Sequence, residues 1–129
     1  MNRLWVIVAV AVGGAAGALA RYGLSRWIHS SGTGGFPWGT LAANILGCLM
    51  IGFCYHWLGQ RGSPILRAGI MVGFIGALTT FSTYCLETMN LADSRQLLPA
   101  GLNIVGSVVA GLIAVYVGIV AAKMVFGTT

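Results

Sequence analysis

Charge is the property that this sequence has least of. Only 7% of its 129 residues are Asp, Glu, Lys or Arg, whereas 57% are hydrophobic and the mean hydropathy is +0.88. A soluble domain of this length needs more polar surface than such a composition supplies. The sequence therefore predicts an all-α membrane protein in which residues 1–129 form a single membrane domain.

Acidic residues are nearly absent, since Glu87 and Asp93 are the only two in the chain. Proton-coupled pumps usually place a carboxylate or a histidine inside the membrane. His56 is the one candidate histidine, but it lies close to Arg61 and is typical of a residue at the membrane interface. The sequence thus gives little support to a proton-coupled mechanism.

Cysteine is scarce as well, and the three cysteines all fall within apolar segments. An odd number in such positions supports neither a disulfide framework nor a zinc site. The net charge of +5 is compatible with nucleic-acid binding in principle. However, the seven basic residues are scattered over the connections and form no patch, so we expect no nucleic-acid partner.

Long hydrophobic runs are what the sequence does contain. A bilayer core of about 30 Å needs about 20 apolar residues in a helix, and four segments satisfy this requirement, at about 4–27, 37–58, 65–89 and 97–126. Pro37, Pro64 and Pro99 lie where prolines of a first helical turn belong. We therefore predict four transmembrane helices in a multi-pass protein.

The first segment allows a second interpretation. Arg3, the apolar run that follows it and the small residues Ala16-Gly17-Ala18 resemble a secretory signal peptide. Cleavage there would leave three spans and would remove Gly13 and Gly17, whose spacing offers a close-packing helix face. We favour the four-span interpretation.

Basic residues are distributed almost evenly between the two sides of such a four-span protein. Four basic residues fall on the side of the N-terminus and three on the opposite side, namely Arg3, Arg61, Arg67 and Lys123 against Arg21, Arg26 and Arg95. Orientation follows the asymmetry of Lys and Arg, so this near balance is compatible with insertion in both orientations. An antiparallel homodimer is one hypothesis, and a single orientation set by one or two charges is the other.

The Gly13-xxx-Gly17 and Gly69-xxx-Gly73 spacings modestly favour oligomerisation, because small residues at this spacing let helices approach closely.

The third segment is unusually rich in hydroxyl groups for a membrane span. Gly73 and Gly76 precede four hydroxyl residues, namely Thr79, Thr80, Ser82 and Thr83. Glycine and threonine both form continuous helices poorly. We therefore predict a break in the third helix near 76–82. Carbonyl oxygens released by such a break are ligands that an alkali cation accepts.

Neutral polar groups also occur in the neighbouring spans. Asn44 lies in the second, and Asn103, Ser107 and Gly111 recur every four residues in the fourth, on one helix face. Such a stripe either holds helices together or lines a path. Phe81 and Tyr84 fit ordinary core packing, but aromatic rings also present a positive edge to an anion.

These features together resemble the Fluc/CrcB family of fluoride channels. The resemblance spans the chain and is strongest in the third helix, at Gly76-Ala-Leu-Thr79-Thr80-Phe81-Ser82-Thr83-Tyr84. It is supported by Gly13-Gly14 through Arg21, by Gly39-Thr40-Leu41 with Asn44 and Gly47, and by Gly106-Ser107. Two features depart from the family pattern: Tyr84 replaces a second phenylalanine, and Pro99 and Gly111 replace hydroxyl residues that extend the fourth-helix stripe.

The resemblance implies an antiparallel, dual-topology homodimer with two fluoride pores and a central structural sodium ion. It implies that the carbonyls of Gly76 and Thr79 bind sodium and that Arg21 attracts anions to a vestibule. The implied fluoride pathway contains seven residues, Asn44, Phe81, Ser82, Thr83, Tyr84, Asn103 and Ser107.

We accordingly expect a passive channel, without enzymatic activity, that exports cytoplasmic fluoride across the inner or plasma membrane of a prokaryote. One alternative is a small dual-topology multidrug exchanger, which would need a carboxylate in the first span, and none lies there. Another is a membrane assembly subunit that transports nothing. The role of Glu87 is open between a helix-end residue, which we favour, and a pore element.

Overall fold

The computed structural model describes residues 3–30 and 35–127, and of residues 29, 30, 60 and 61 it describes the backbone only. This part of the chain is helical and contains no strand. The elements are α1 (Arg3–Ser30), α2 (Trp38–Arg61), α3 (Pro64–Arg67), a π-helix (Ala68–Ile75), α4 (Gly76–Leu78), α5 (Phe81–Asp93) and α6 (Leu97–Phe126).

Four helical stretches within the described ranges are long and apolar enough to cross a membrane. They are Arg3–Ile28, Trp38–Gly59, Pro64–Asp93 and Leu97–Phe126. The prediction of an all-helical protein with four spans is therefore confirmed. Even in the best-covered span, Trp38–Gly59, only 28% of the most apolar window is buried inside the chain. Most of the helical surface therefore faces lipid or another protein.

Glycines bring α1 close to the third span. A side chain at Gly13 would overlap the carbonyl of Gly69, and one at Gly17 would overlap the carbonyl of Phe74. Gly73 in turn lies against Val10 of α1. The two glycine pairs that we expected to favour oligomerisation thus pack against each other within one chain, because backbones can approach so closely only where no Cβ intervenes. They do not by themselves mark a dimer interface.

The helices α2 and α6 form the second close pair. A side chain at Gly52 would overlap the carbonyl of Val115, and one at Gly118 would overlap the carbonyl of Leu49. A small cluster around Cys54, Leu58 and Ile75 joins this pair to the third span. The α2–α6 pair and the α1–third-span pair therefore meet where the second half of α2 packs against the first half of the third span.

The third span begins with a regular cap. The side chain of Ser63 accepts a hydrogen bond from the backbone N–H of Leu66, and Pro64 occupies the first turn. Arg67 donates hydrogen bonds to the carbonyls of Leu58 and Gly59 at the end of α2. Basic side chains that donate to the last carbonyls of a helix stabilise its C-terminal end. Arg67 therefore holds the start of the third span against the end of α2.

Two departures from regular α-helix follow in the third span. Ala68–Ile75 is a π-helix, which the sequence does not predict. Between α4 and α5, the backbone angles are φ −81° and ψ 154° at Thr79 and φ −149° and ψ 120° at Thr80. We call these two residues the extended segment (79–80).

Candidate functional site

A groove of about 380 Å³ lies beside the extended segment. It is formed by α2, the third span and α6, and most of its lining is apolar. The lining residues are Asn44, Gly47, Cys48, Ile51, Met71, Ile75, Gly76, Thr79, Thr80, Phe81, Tyr84, Ser107 and Val108. A groove with few polar groups in an apolar wall is typical of a site for a small ligand.

The side-chain amide of Asn44 pairs with the backbone of Thr80. The Thr80 N–H donates to Oδ1 of Asn44 at 2.7 Å, and Nδ2 of Asn44 donates to the Thr80 carbonyl at 3.2 Å. This pairing satisfies both backbone groups of a residue that lies outside any helix and is only 8% exposed. An amide nitrogen carries two hydrogens, so the second one remains for another acceptor in the groove.

The extended segment also redirects the hydrogen bonds of two carbonyls. In a continuous α-helix, the Gly76 carbonyl would accept from Thr80 N–H and the Thr79 carbonyl from Thr83 N–H. Here, the Thr80 N–H donates to Asn44, and the Thr83 N–H donates to the side chain of Thr80 at 3.3 Å. The carbonyls of Gly76 and Thr79 thus keep lone pairs for another partner, and neutral carbonyl oxygens are suitable ligands for an alkali cation.

Hydroxyl groups cluster at the start of α5. The Thr80 hydroxyl caps this helix by accepting from Thr83 N–H and donates to the Thr83 hydroxyl at 3.0 Å. The hydroxyls of Thr80 and Ser82 are 3.5 Å apart. Ser82 is exposed and Thr83 half-buried. The sequence-predicted residues Ser82 and Thr83 are therefore brought together, next to the groove.

The aromatic residues Phe81 and Tyr84 line the groove where α5 begins. The ring centroids of Phe81 and Tyr84 are 5.6 Å apart, with an angle of 34° between the ring planes. Phe81 is 78% exposed within the single chain. A phenylalanine that exposed is not part of the core of this chain, which argues against the interpretation of Phe81 as an ordinary packing residue.

The fourth-span stripe has one member at the groove and one behind it. Ser107 lines the groove and donates to Oδ1 of Asn103 at 3.3 Å. Asn103 is 2% exposed and donates to the hydroxyl of Thr88 at 2.8 Å. Thr88 was not identified from the sequence, although its hydroxyl lies four residues after Tyr84, on the same helix face.

Glu87 occupies a second, smaller pocket of about 190 Å³. Its carboxylate accepts a hydrogen bond from the hydroxyl of Thr40 at 2.8 Å, and the residue is only partly exposed. Because α5 continues to Asp93, the preferred interpretation of Glu87 as an exposed helix-end residue is wrong. Thr40, which lies one turn before Asn44 on α2, was also not identified as a site residue.

Arg21 takes no part in either pocket. It lies in α1, is half-buried and is not among the residues that line the two pockets. A role at a vestibule therefore depends on surroundings other than these two pockets. All other predicted site residues lie in the groove, at the start of α5 or in the hydrogen-bonded chain behind the groove.

Known proteins resemble the chain over most of its length. A family model described as "CrcB-like protein, Camphor Resistance (CrcB)" matches residues 8–119. The chain is 45% identical to the "Fluoride-specific ion channel FluC" of Hahella chejuensis (strain KCTC 2396) over 121 residues, which covers 92% of this chain and 95% of the relative.

Two further relatives carry the same description. The protein of Trichormus variabilis (strain ATCC 29413 / PCC 7937) is 45% identical over 91% of this chain and 88% of the relative. That of Stutzerimonas stutzeri (strain A1501) is 42% identical over 90% of this chain and 95% of the relative. On the family match and on this identity, the chain belongs to the CrcB-like family.

Proposed function

We propose that this protein is a passive, fluoride-selective ion channel that exports cytoplasmic fluoride. The observation that carries the proposal is identity of up to 45% over nine-tenths of the chain with proteins described as fluoride-specific ion channels. The groove beside the extended segment provides chemistry that suits this substrate. No reaction is catalysed in such a channel, so the protein is not an enzyme.

Fluoride is small and strongly hydrated, so a pathway must replace its water with several donors at once. The groove and the start of α5 offer uncharged donors of this kind, namely the amide of Asn44 and the hydroxyls of Ser82, Thr83 and Ser107. The rings of Phe81 and Tyr84 add positive edges. Because none of these groups is charged, the ion can also leave, as conduction requires.

The fourth-span residues supply the continuation of this pathway. Ser107 lines the groove, while Asn103 holds the orientation of Ser107 and is itself held by Thr88. Ser107 is therefore the member of the pair that contacts the anion, once its single hydroxyl hydrogen turns from Asn103 to fluoride. Asn103 acts through Ser107, because it is almost completely buried.

A sodium ion is the cofactor in this proposal, held by the carbonyls of Gly76 and Thr79. Both carbonyls have lost the donor that a continuous helix would provide, which makes their oxygens suitable for this role. Bound sodium would supply a positive charge at the extended segment and would tie together the chains that share it.

The functional unit in this proposal is an antiparallel homodimer in the inner or plasma membrane of a prokaryote. The near balance of Lys and Arg on the two sides supports insertion in both orientations. The exposure of Phe81 and of Gly76, next to the groove, supports a second copy packing on this face. Two grooves, one from each copy, would then form two pores.

Fluoride efflux from liposomes tests the function. Purified protein is reconstituted into vesicles loaded with potassium fluoride, potassium is released with valinomycin, and fluoride outside is followed with an electrode. The proposal predicts rapid release that empty vesicles do not show. The alternative of a transport-inactive assembly subunit predicts equal release from both kinds of vesicle.

A further inference from the structure

We infer that Asn44 is a positioning residue that prepares the cation site, in addition to any contact it makes with the anion. The inference rests on the proposed sodium site. It follows from the way in which a single side chain replaces the helical partners of the extended segment. Anion contact alone would not require Asn44 to bind the backbone of Thr80 at both ends.

The first step concerns the Thr80 N–H. This group is the natural helical donor for the Gly76 carbonyl, because it lies four residues later. Asn44 Oδ1 accepts it at 2.7 Å, which is the shorter of the two bonds between these residues. As long as this bond is made, the Gly76 oxygen retains its lone pairs for a cation.

The second step concerns the alternative that Asn44 prevents. If the Thr80 N–H were released, closing the helical bond to Gly76 would be the simplest way to satisfy both groups in an apolar environment. The chain could then rewind across residues 79–80, and the Gly76 carbonyl would no longer be available. Thr80 is only 8% exposed, so water is a poor substitute for either partner.

The third step concerns the contact surface that keeps Asn44 in place. Gly47, one turn later on α2, has no Cβ and lies against the methyl group of Thr79. Thr79 itself is tied back to the end of the π-helix, since its N–H and its hydroxyl both donate to the Ile75 carbonyl. The α2 helix can therefore lie close enough to the extended segment for the short Asn44 side chain to reach it.

Sodium-dependent thermal stability of the purified full-length protein tests the inference. The melting temperature is measured at rising concentrations of sodium chloride, with N-methylglucamine chloride keeping the ionic strength constant. Binding to the folded state raises the melting temperature, and the concentration dependence gives an apparent sodium affinity. Residues that orient metal ligands typically contribute about 10–100-fold to affinity.

Two substitutions at Asn44 separate its roles. Asn44→Leu removes both hydrogen bonds and should weaken the apparent sodium affinity at least about tenfold. Asn44→Asp retains an acceptor for the Thr80 N–H but loses the donor to the Thr80 carbonyl, and its negative charge attracts a cation. Sodium affinity should therefore not fall as it does in Asn44→Leu, while the same charge lowers fluoride flux. Asn103→Leu, the matched control, lowers the melting temperature but should not change the sodium affinity, because Asn103 contacts Thr88 rather than the extended segment.

The outcomes distinguish the inference from the proposed function. Wild-type sodium affinity in Asn44→Leu would overturn the inference but leave the channel proposal intact. If sodium does not raise the melting temperature of the wild-type protein, the cation site and the inference are both overturned. The fluoride efflux assay then tests the proposed channel function separately. If Asn44→Leu does not fold, Asn44→Ala, whose side chain has no hydrogen-bonding group, takes its place with the same expectation.

Hydrogen exchange in the wild-type protein tests the premise without any substitution. The Thr80 amide lies outside a helix but should exchange as slowly as amides within α5, because it is bonded to Asn44 and buried. Fast exchange of this amide would overturn the inference directly.

Discussion

The hydroxyl of Thr88 accepts a hydrogen bond from the side-chain amide of Asn103, with 2.8 Å between Oγ1 and Nδ2. The same hydroxyl donates to the Tyr84 carbonyl at 2.8 Å. Since Ser107 donates to the other end of the Asn103 amide, Thr88 connects the backbone of α5 to the groove-lining residue of α6. The start of α5 and the fourth-span stripe are therefore one hydrogen-bonded unit.

Thr88→Val should destabilise the protein by about 1–3 kcal/mol, because it leaves a buried amide donor of Asn103 without its partner. Thr88→Ser retains the hydroxyl and should cost less. The free energy of unfolding in mixed detergent micelles, measured by titration with SDS, provides the comparison. Equal stability of the valine and serine variants would show that the hydroxyl of Thr88 does not hold Asn103.

Phe81→Ile should lower fluoride efflux roughly tenfold, because it replaces a polarised ring edge with an aliphatic group of similar hydrophobicity. Phe81 is 78% exposed in the single chain, so the substitution removes little packing within it. Size-exclusion chromatography should show the wild-type elution volume, because isoleucine is also a large apolar residue and can still pack against a second copy. Undiminished efflux in Phe81→Ile would show that Phe81 is not part of the fluoride pathway.

Tyr84→Phe should leave fluoride efflux within the same order of magnitude, because the ring that pairs with Phe81 is retained. Tyr84→Leu removes the ring and should lower efflux as Phe81→Ile does. Electrode recordings on vesicles that contain equal amounts of each variant make this comparison. A large loss in Tyr84→Phe would instead assign the anion contact to the hydroxyl.

Gly17→Ala should destabilise the fold by about 1–3 kcal/mol, since a Cβ there would overlap the backbone of Phe74 and force α1 away from the third span. Gly23→Ala is the matched control on the same helix, because a methyl group at that position would have no neighbouring atom within 4 Å. It should be neutral or stabilising by up to about 1 kcal/mol. Thermal denaturation of the two variants checks both values, and similar melting temperatures would contradict the close approach of α1.

Much of the fold could be predicted because hydropathy acts over whole segments. Runs of about 20 apolar residues have few alternatives in a membrane protein, and the bounds of the spans follow from prolines such as Pro64 and from polar connections. The Gly13 and Gly17 spacing correctly indicates close packing. It could not indicate the partner, because a small-residue face fits a neighbouring helix of the same chain as well as one of another chain.

The site was predictable in its residue types but not in its connections. Glycine and threonine propensities point to residues 76–82 as a weak stretch of helix. The bonds of Asn44 to Thr80 and of Asn103 to Thr88 join residues distant in sequence, so no local pattern reveals them. The helix-end interpretation of Glu87 was wrong because α5 continues to Asp93, beyond the end of the predicted third span at 89. The contact of Glu87 with Thr40 could not be predicted either, since it depends on how α2 and α5 pack.

Selectivity between fluoride and chloride tests the central claim most directly. Vesicles that contain the wild-type protein are loaded with both anions in equal concentration, and ion-selective electrodes follow their release together after addition of valinomycin. We predict that fluoride leaves rapidly while chloride stays at the level of empty vesicles. Release of both anions at similar rates, or retention of fluoride, would contradict a fluoride-selective channel.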